Sequence, residues 1–201
     1  MWGALLEVFF PAQCAGCSAL GKGLCAACAP PATTPFRRRA GGIEVRAYGE
    51  YEGALRAAIL AIKDGRRDVS AALGERIAPF VERGALLVPV PTTAKRRRVR
   101  GIDGVELMAR RCAEMAGARV CCALVQRAGD AQRGRSRRER LAAVQRFCVR
   151  DAGTVRGTGV LLIDDVCTTG ATLADCARAV QAVGGIVRGA VVAAATKAEI
   201  A

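Results

Sequence analysis

V-L-L-I-D-D-V-C-T-T-G-A-T-L, residues 160–173, runs four apolar residues into two adjacent carboxylates, a turn of threonine and glycine, and a helical pattern. The apolar run suits a strand buried on both faces of a parallel sheet. Gly170 lets the backbone tighten before a helix expected over 171–183. The unpaired N–H groups and positive dipole end of such a helix favour an anion, and the hydroxyls of Thr168, Thr169 and Thr172 add donors for a phosphate. Asp164 and Asp165, expected at the strand end, cannot serve that phosphate. Carboxylates there accept hydrogen bonds from sugar hydroxyls or help hold a Mg²⁺ that the ligand carries. Phosphate and sugar together imply a ribose-phosphate ligand. Two acids and three threonines also suit a helix cap, but capping needs one such residue, not five polar groups in a set order. A P-loop (G-x-x-x-x-G-K-[ST]) and a G-x-G-x-x-G turn after a strand are both absent from the sequence.

The 201 residues, 52% hydrophobic and 4% aromatic, suit one Ala/Val/Leu-rich core with a small appendage. A formal net charge of +13 attracts polyanions, whether nucleotides, pyrophosphate or nucleic acid, and does not choose among them. The chain has no histidine, which excludes Ser-His-Asp and Cys-His nucleophiles, His-ligated metals and imidazole as a general base. No basic segment precedes an apolar one as in a signal peptide, and no apolar run has membrane-spanning length. The expected location is therefore cytoplasmic, without a transmembrane segment, and the ten cysteines are expected as thiols or metal ligands rather than disulfides.

Residues 1–13 carry Trp2, Leu5, Leu6, Phe9 and Phe10 at helical spacings that make one apolar face, expected to pack on the rest of the chain. Next come Cys14, Cys17, Cys25 and Cys28, spaced C-x2-C-x7-C-x2-C. Two such pairs aim four thiolates at one point, the tetrahedral preference of Zn²⁺, and closed four-sulfur coordination leaves no place for water, so a structural zinc finger is expected. Residues 29–42, rich in proline and glycine around Arg37, Arg38 and Arg39, read as a linker, which divides the chain into 1–42 and 43–201.

Residues 43–51 suit a strand, 53–62 and 69–83 helices, and 85–90 a strand whose exit is marked by Pro89 and Pro91. The basic loop that follows places Lys95, Arg96 and Arg100 where they can meet a pyrophosphate from the side opposite the phosphate loop. A helix is expected over 103–115 and a strand over 119–125, then a very basic segment, 127–140, whose Gln132, Ser136 and Arg140 suit phosphate or polynucleotide. Strands are expected again over 146–149 and 186–195. Strands alternating with helices indicate a doubly wound α/β domain with ligand at the carboxyl ends of its strands.

The 160–173 stretch resembles the phosphoribosyl pyrophosphate (PRPP) motif of type I phosphoribosyltransferases, a hydrophobic strand followed by D-D-V-x-T-T-G-x-T. That resemblance implies a type I phosphoribosyltransferase-like, mostly parallel sheet flanked by helices. It also implies that Asp164 and Asp165 contact the ribose 2′ and 3′ hydroxyls, and that the loop through Val166, Cys167, Thr168, Thr169, Gly170, Ala171 and Thr172 wraps the 5-phosphate. Mg²⁺ accompanies PRPP in such proteins, and the implied reaction displaces pyrophosphate at C1′. Relatives acting on 6-oxopurines carry an Asp where Thr168 stands, and threonine takes no proton at neutral pH, so purine salvage is not implied.

The four-cysteine knuckle, V-P-V-P, Arg96 with Arg100 and Gly101, Gln132 with Ser136, Glu139 and Arg140, Val144 with Phe147, and the D-D-V-x-T-T-G loop follow one another in that order. Together they are similar to the ComF/GntX family of competence-associated phosphoribosyltransferase-like proteins, along nearly the full chain. This implies a link to DNA uptake in natural transformation, with contact to the uptake machinery and to single-stranded DNA. Family members usually read R-G-F-N-Q where this chain has Arg100-Gly101-Ile102-Asp103-Gly104, and usually carry Asn where Ala143 stands. A different class also fits the charge: a zinc-containing single-stranded nucleic-acid-binding module, including DNA binding, that uses PRPP as a regulator without turnover.

Overall fold

The structure is a computed structural model and describes residues 11–92, 103–127 and 146–196. The apolar face expected near the amino terminus falls on residues 1–10, outside the described residues. The described elements are β1 (Phe36–Ala40), β2 (Ile43–Glu50), α1 (Gly53–Lys63), α2 (Arg67–Ile77), β3 (Leu86–Pro89), α3 (Gly104–Ala116), β4 (Arg119–Val120), β5 (Leu124–Gln126), β6 (Phe147–Val149), β7 (Gly159–Cys167), α4 (Ala171–Ala182) and β8 (Ile186–Ala195).

A six-stranded sheet in the order β1-β2-β8-β7-β3-β4 forms the centre, and β5 with β6 makes a separate two-stranded ribbon. Within the sheet β1 alone runs antiparallel; β2, β8, β7, β3 and β4 are parallel neighbours. The architecture is thus a mostly parallel α/β sheet with flanking helices, as the alternation of elements predicts.

Strand β7 shows why its apolar run is continuous. Leu161 and Ile163 belong to the core that α1, α2 and α3 cover, while Val160 and Leu162 belong to the core under α4. Both faces of the strand are sealed, and each such side chain contributes roughly 1.5–3 kcal/mol by leaving water. Helix α3 begins at Asp103, whose carboxylate accepts from the N–H groups of Val105 and Glu106, and it ends at Gly117 in the left-handed conformation (φ 64).

Three expectations need correction. Residues 29–42 are not all linker, because Phe36–Ala40 pairs antiparallel with β2 and closes one edge of the sheet. Its arginines suit an open edge, where charged side chains discourage pairing with another chain. The helix expected over 69–83 stops at Ile77, where a 3₁₀ turn containing Pro79 takes over. The strand expected over 119–125 is two: Val120 ends the sheet's short edge strand, and Leu124 starts the ribbon by pairing with Val149. Among the described residues no helix is long and apolar enough to cross a membrane.

Candidate functional site

The paired acids lie inside β7 rather than beyond it, because the strand continues to Cys167 alongside β8, with Val166 opposite Ala194 and Cys167 opposite Ala195. Asp164 is buried, and its Oδ1 accepts the N–H of Asp165 at 2.9 Å. Burial first, and then the charge of Asp165, push the Asp164 carboxyl well above the ordinary carboxylate range. Asp165 is also raised by burial, and the nearby Lys63 ammonium pulls it partly back. A buried carboxylic acid raised in this way holds its proton in the fold at pH values where the unfolded chain has lost it. The fold therefore loses stability as pH rises from about 3.9, the ordinary Asp value, through the raised one. Urea midpoints measured across that window are expected to fall in the wild type and to flatten in Asp164→Asn; parallel curves would show that the buried acid is not the source.

After Cys167 the chain turns through Thr168 and Thr169, both exposed, to Gly170, which caps α4 at φ 79. A Cβ on Gly170 would stand 2.6 Å from the Cβ of Ala40, so glycine is required both by its torsion and by the β1–β2 turn packed on it. The Thr169 hydroxyl accepts the N–H of Ala171 at 3.3 Å. Residues 166–173 and Asp164 enclose a small hollow at the start of α4, where unpaired N–H groups collect.

Beside it a cavity of about 310 Å³ opens at the carboxyl ends of β3 and β7. Asp164, Asp165, Thr168 and Thr172 form one wall. Lys63 closes the end of α1 on another, and Gln126 and Arg146 stand at the base of the ribbon. The chain leaves the described residues at Thr92 and returns at Asp103, both on the cavity wall. It does so again between Arg127 and Arg146, which pair through the Arg127 N–H and the Arg146 carbonyl at 2.9 Å. Lys95, Arg96 and Arg100 in the first gap, and Gln132, Ser136 and Arg140 in the second, lie outside the described residues, as does Ala143.

Asp103 and Gly104, positions already singled out in the sequence, line the cavity, and so do Arg146 and Lys63, which the sequence does not mark. Asp103 ties the exit of β3 to the start of α3, since its Oδ2 accepts the Thr92 N–H at 3.1 Å while its Oδ1 caps α3. Gly104 fits because α1 leaves no space: a Cβ there would lie 2.4 Å from Ile62 Cγ2. Arg146 is held by Asp175 at 2.6 Å, its guanidinium 5.8 Å from the ring centre of Phe147, the residue that pairs with Gln126 across the ribbon. Lys63 has no hydrogen bond or ion pair among the described residues, yet its charge reaches both acids. Its only sequence signal is a lone lysine closing an apolar helix. Lys63→Met is expected to raise the apparent pKa of the acid pair further, read by carboxyl ¹³C shifts against pH; an unmoved titration would place the ammonium too far away to matter.

The four knuckle cysteines bring their sulfurs within 4.8 Å of one another. Cys17 and Cys25 sulfurs are 3.7 Å apart, close to the edge of about 3.8 Å that a tetrahedron with Zn–S bonds of about 2.3 Å requires. Burial raises the Cys14 thiol, but backbone N–H groups of Cys25, Gly16 and Cys17 outweigh it and draw it down to about 6. Cys28 is pushed up to about 12, first by its hydrogen bond with the Cys17 side chain and then by burial. Protons shared among sulfurs in this way are those a zinc ion displaces, so the donor set fits a structural Zn²⁺. The knuckle is joined to the main core: Leu24 and Ala29 pack with α1 and α2, and Arg66 and Arg76 donate to the carbonyls of Gln13 and Ala29 at 2.5 and 2.7 Å.

No protein-family model matches the chain, and no curated protein matches it. A solved structure, that of the allosteric regulatory enzyme of purine biosynthesis, is similar at 20% sequence identity and a TM-score of 0.46. The likeness covers 62% of this chain and 26% of the other, so the chain spans about a quarter of that protein's length.

Proposed function

We propose that the chain is a PRPP-binding, phosphoribosyltransferase-like protein whose acceptor is unidentified. The observation that carries this reading is the meeting of the D-D pair and the T-T-G-x-T loop on one cavity wall, with both basic segments starting and ending at the same cavity. Asp164 and Asp165 accept hydrogen bonds from the ribose 2′ and 3′ hydroxyls, and residues 166–172 take the 5-phosphate. Lys95, Arg96 and Arg100 meet the pyrophosphate, and the segment bearing Gln132, Ser136 and Arg140 closes over the ligand. The Mg²⁺ that PRPP carries would add charge neutralisation at the pyrophosphate. In a turnover the acceptor displaces pyrophosphate at C1′ while the basic residues stabilise the charge that builds on it.

On this reading residues 1–42 form the zinc-bearing part, joined through β1 to the sheet of the phosphoribosyltransferase-like part, 43–201. The order of motifs, similar to that of ComF/GntX proteins, supports a cytoplasmic role connected with DNA uptake in natural transformation. A second reading is favoured by the net charge of +13: a single-stranded nucleic-acid-binding module that senses PRPP without consuming it. Incubation with Mg²⁺ and PRPP, with and without nucleobases or single-stranded DNA, separates the two through pyrophosphate released and DNA retained. Release that depends on an acceptor supports the enzyme, and PRPP binding without release sinks it. Salt-sensitive DNA retention supports the module, and its absence sinks that reading.

A further inference from the structure

We infer that Arg38 of β1 is a positioning residue for the T-T-G-x-T loop, and that it sets how tightly the loop holds a phosphate monoester. The inference rests on the reading of that loop as the 5-phosphate cradle. Arg37 and Arg39 are spent elsewhere, on Glu44 and on the carbonyl of Gly42. Arg38 reaches the far end of β8, where its Nη1 donates to the Thr196 carbonyl at 2.5 Å and lies 3.3 Å from the Thr196 hydroxyl.

Thr196 is in turn the residue that holds the start of the loop. Its N–H donates to the Cys167 carbonyl at 3.0 Å, and its hydroxyl lies 3.4 Å from the Thr168 carbonyl. A trans peptide is planar, with its C=O and N–H pointing in opposite directions. Fixing the carbonyls of Cys167 and Thr168 on Thr196 therefore aims the N–H groups of Thr168 and Thr169 away from it. Those two N–H groups are donors that a phosphate in the loop needs in a fixed direction. The same hairpin also backs the loop sterically, since a Cβ on Gly41 would lie 2.5 Å from the Gly170 carbonyl oxygen.

Arg38 Nε is buried without a hydrogen-bond partner. A buried donor left unpaired opposes folding, so the side chain adds little net stability to the fold, and its two contacts with Thr196 act on the loop. Arg38→Met is thus expected to keep the wild-type urea midpoint while weakening ribose 5-phosphate binding about tenfold. In ¹H–¹⁵N spectra the ligand-induced shifts of the Thr168 and Thr169 amides are expected to shrink in the same variant. Arg38→Lys, which keeps the charge without the planar fork, is expected to recover part of the affinity. Thr196→Val, which removes only the hydroxyl link, is expected to weaken binding about threefold and reads the same chain of contacts if Arg38→Met fails to fold. Wild-type affinity and amide shifts in Arg38→Met and Thr196→Val would overturn the inference. So would a loss of affinity that merely tracks a lowered urea midpoint. If the wild type itself binds neither ribose 5-phosphate nor PRPP, the cradle reading fails, and the role of Arg38 with it.

Discussion

Asp164→Asn combined with Asp165→Asn is expected to abolish PRPP binding while leaving the sheet folded. A hydrogen bond to a charged group contributes about 1.5–3 kcal/mol, so two carboxylate contacts to ribose hydroxyls amount to roughly 3–6 kcal/mol, or about 10²–10⁴ in affinity. Asparagine keeps the shape and one carbonyl acceptor but removes the charge, which is the component that matters in a buried site. The unliganded variant is expected to be no less stable than the wild type near neutral pH, because burial and the neighbouring charge disfavour the ionised pair. Equilibrium dialysis with labelled PRPP and Mg²⁺ measures the affinity, and circular dichroism checks the fold. Unchanged affinity in the folded variant would remove the acid pair from the ligand site.

Cys17→Ser is expected to release the zinc ion and melt the knuckle. Three remaining sulfurs leave the tetrahedron open, and structural zinc in small knuckles supplies apparent binding free energies of about 10–16 kcal/mol. The damage does not stay local, because Leu24, only 1% exposed, and the backbone of Ala29 are tied to α1 and α2. Exposing Leu24 alone costs the fold roughly 1.5–3 kcal/mol. Metal analysis of the purified variant, with proteolysis sites mapped by mass spectrometry, is expected to show loss of zinc and new cleavage ahead of β1. Zinc content equal to the wild type would contradict four-cysteine ligation.

Where the fold follows from local pattern, the amino-acid sequence makes it legible. Leu161 and Ile163 alternate with Val160 and Leu162 between two cores, which is why a continuous apolar run marks a central parallel strand. The cysteine spacing likewise announces its knuckle, since each pair lies within one turn of the chain. What sequence patterning leaves hidden depends on a partner far along the chain. Three arginines in five residues mask β1, which its pairing with β2 makes a strand and whose Ala40 and Gly41 dock on Gly170, far along the chain. Val120 and Leu124 look continuous, but one pairs with Leu87 in the sheet and the other with Val149 in the ribbon. Lys63 and Asp165 carry no mutual signal in sequence, because only the packing of α1 across the sheet brings that ammonium to the acids. Carboxylates mark a strand end by default, yet β7 runs past them because β8 continues to offer partners as far as Ala195.

The measurement that tests the central claim most directly is a calorimetric titration of the full chain with PRPP in the presence of Mg²⁺. A saturable isotherm with one site per chain, weakened at least a hundredfold in the doubly substituted Asp164→Asn, Asp165→Asn protein, is the expected result. No binding heat and no shift in thermal midpoint at millimolar PRPP would contradict it.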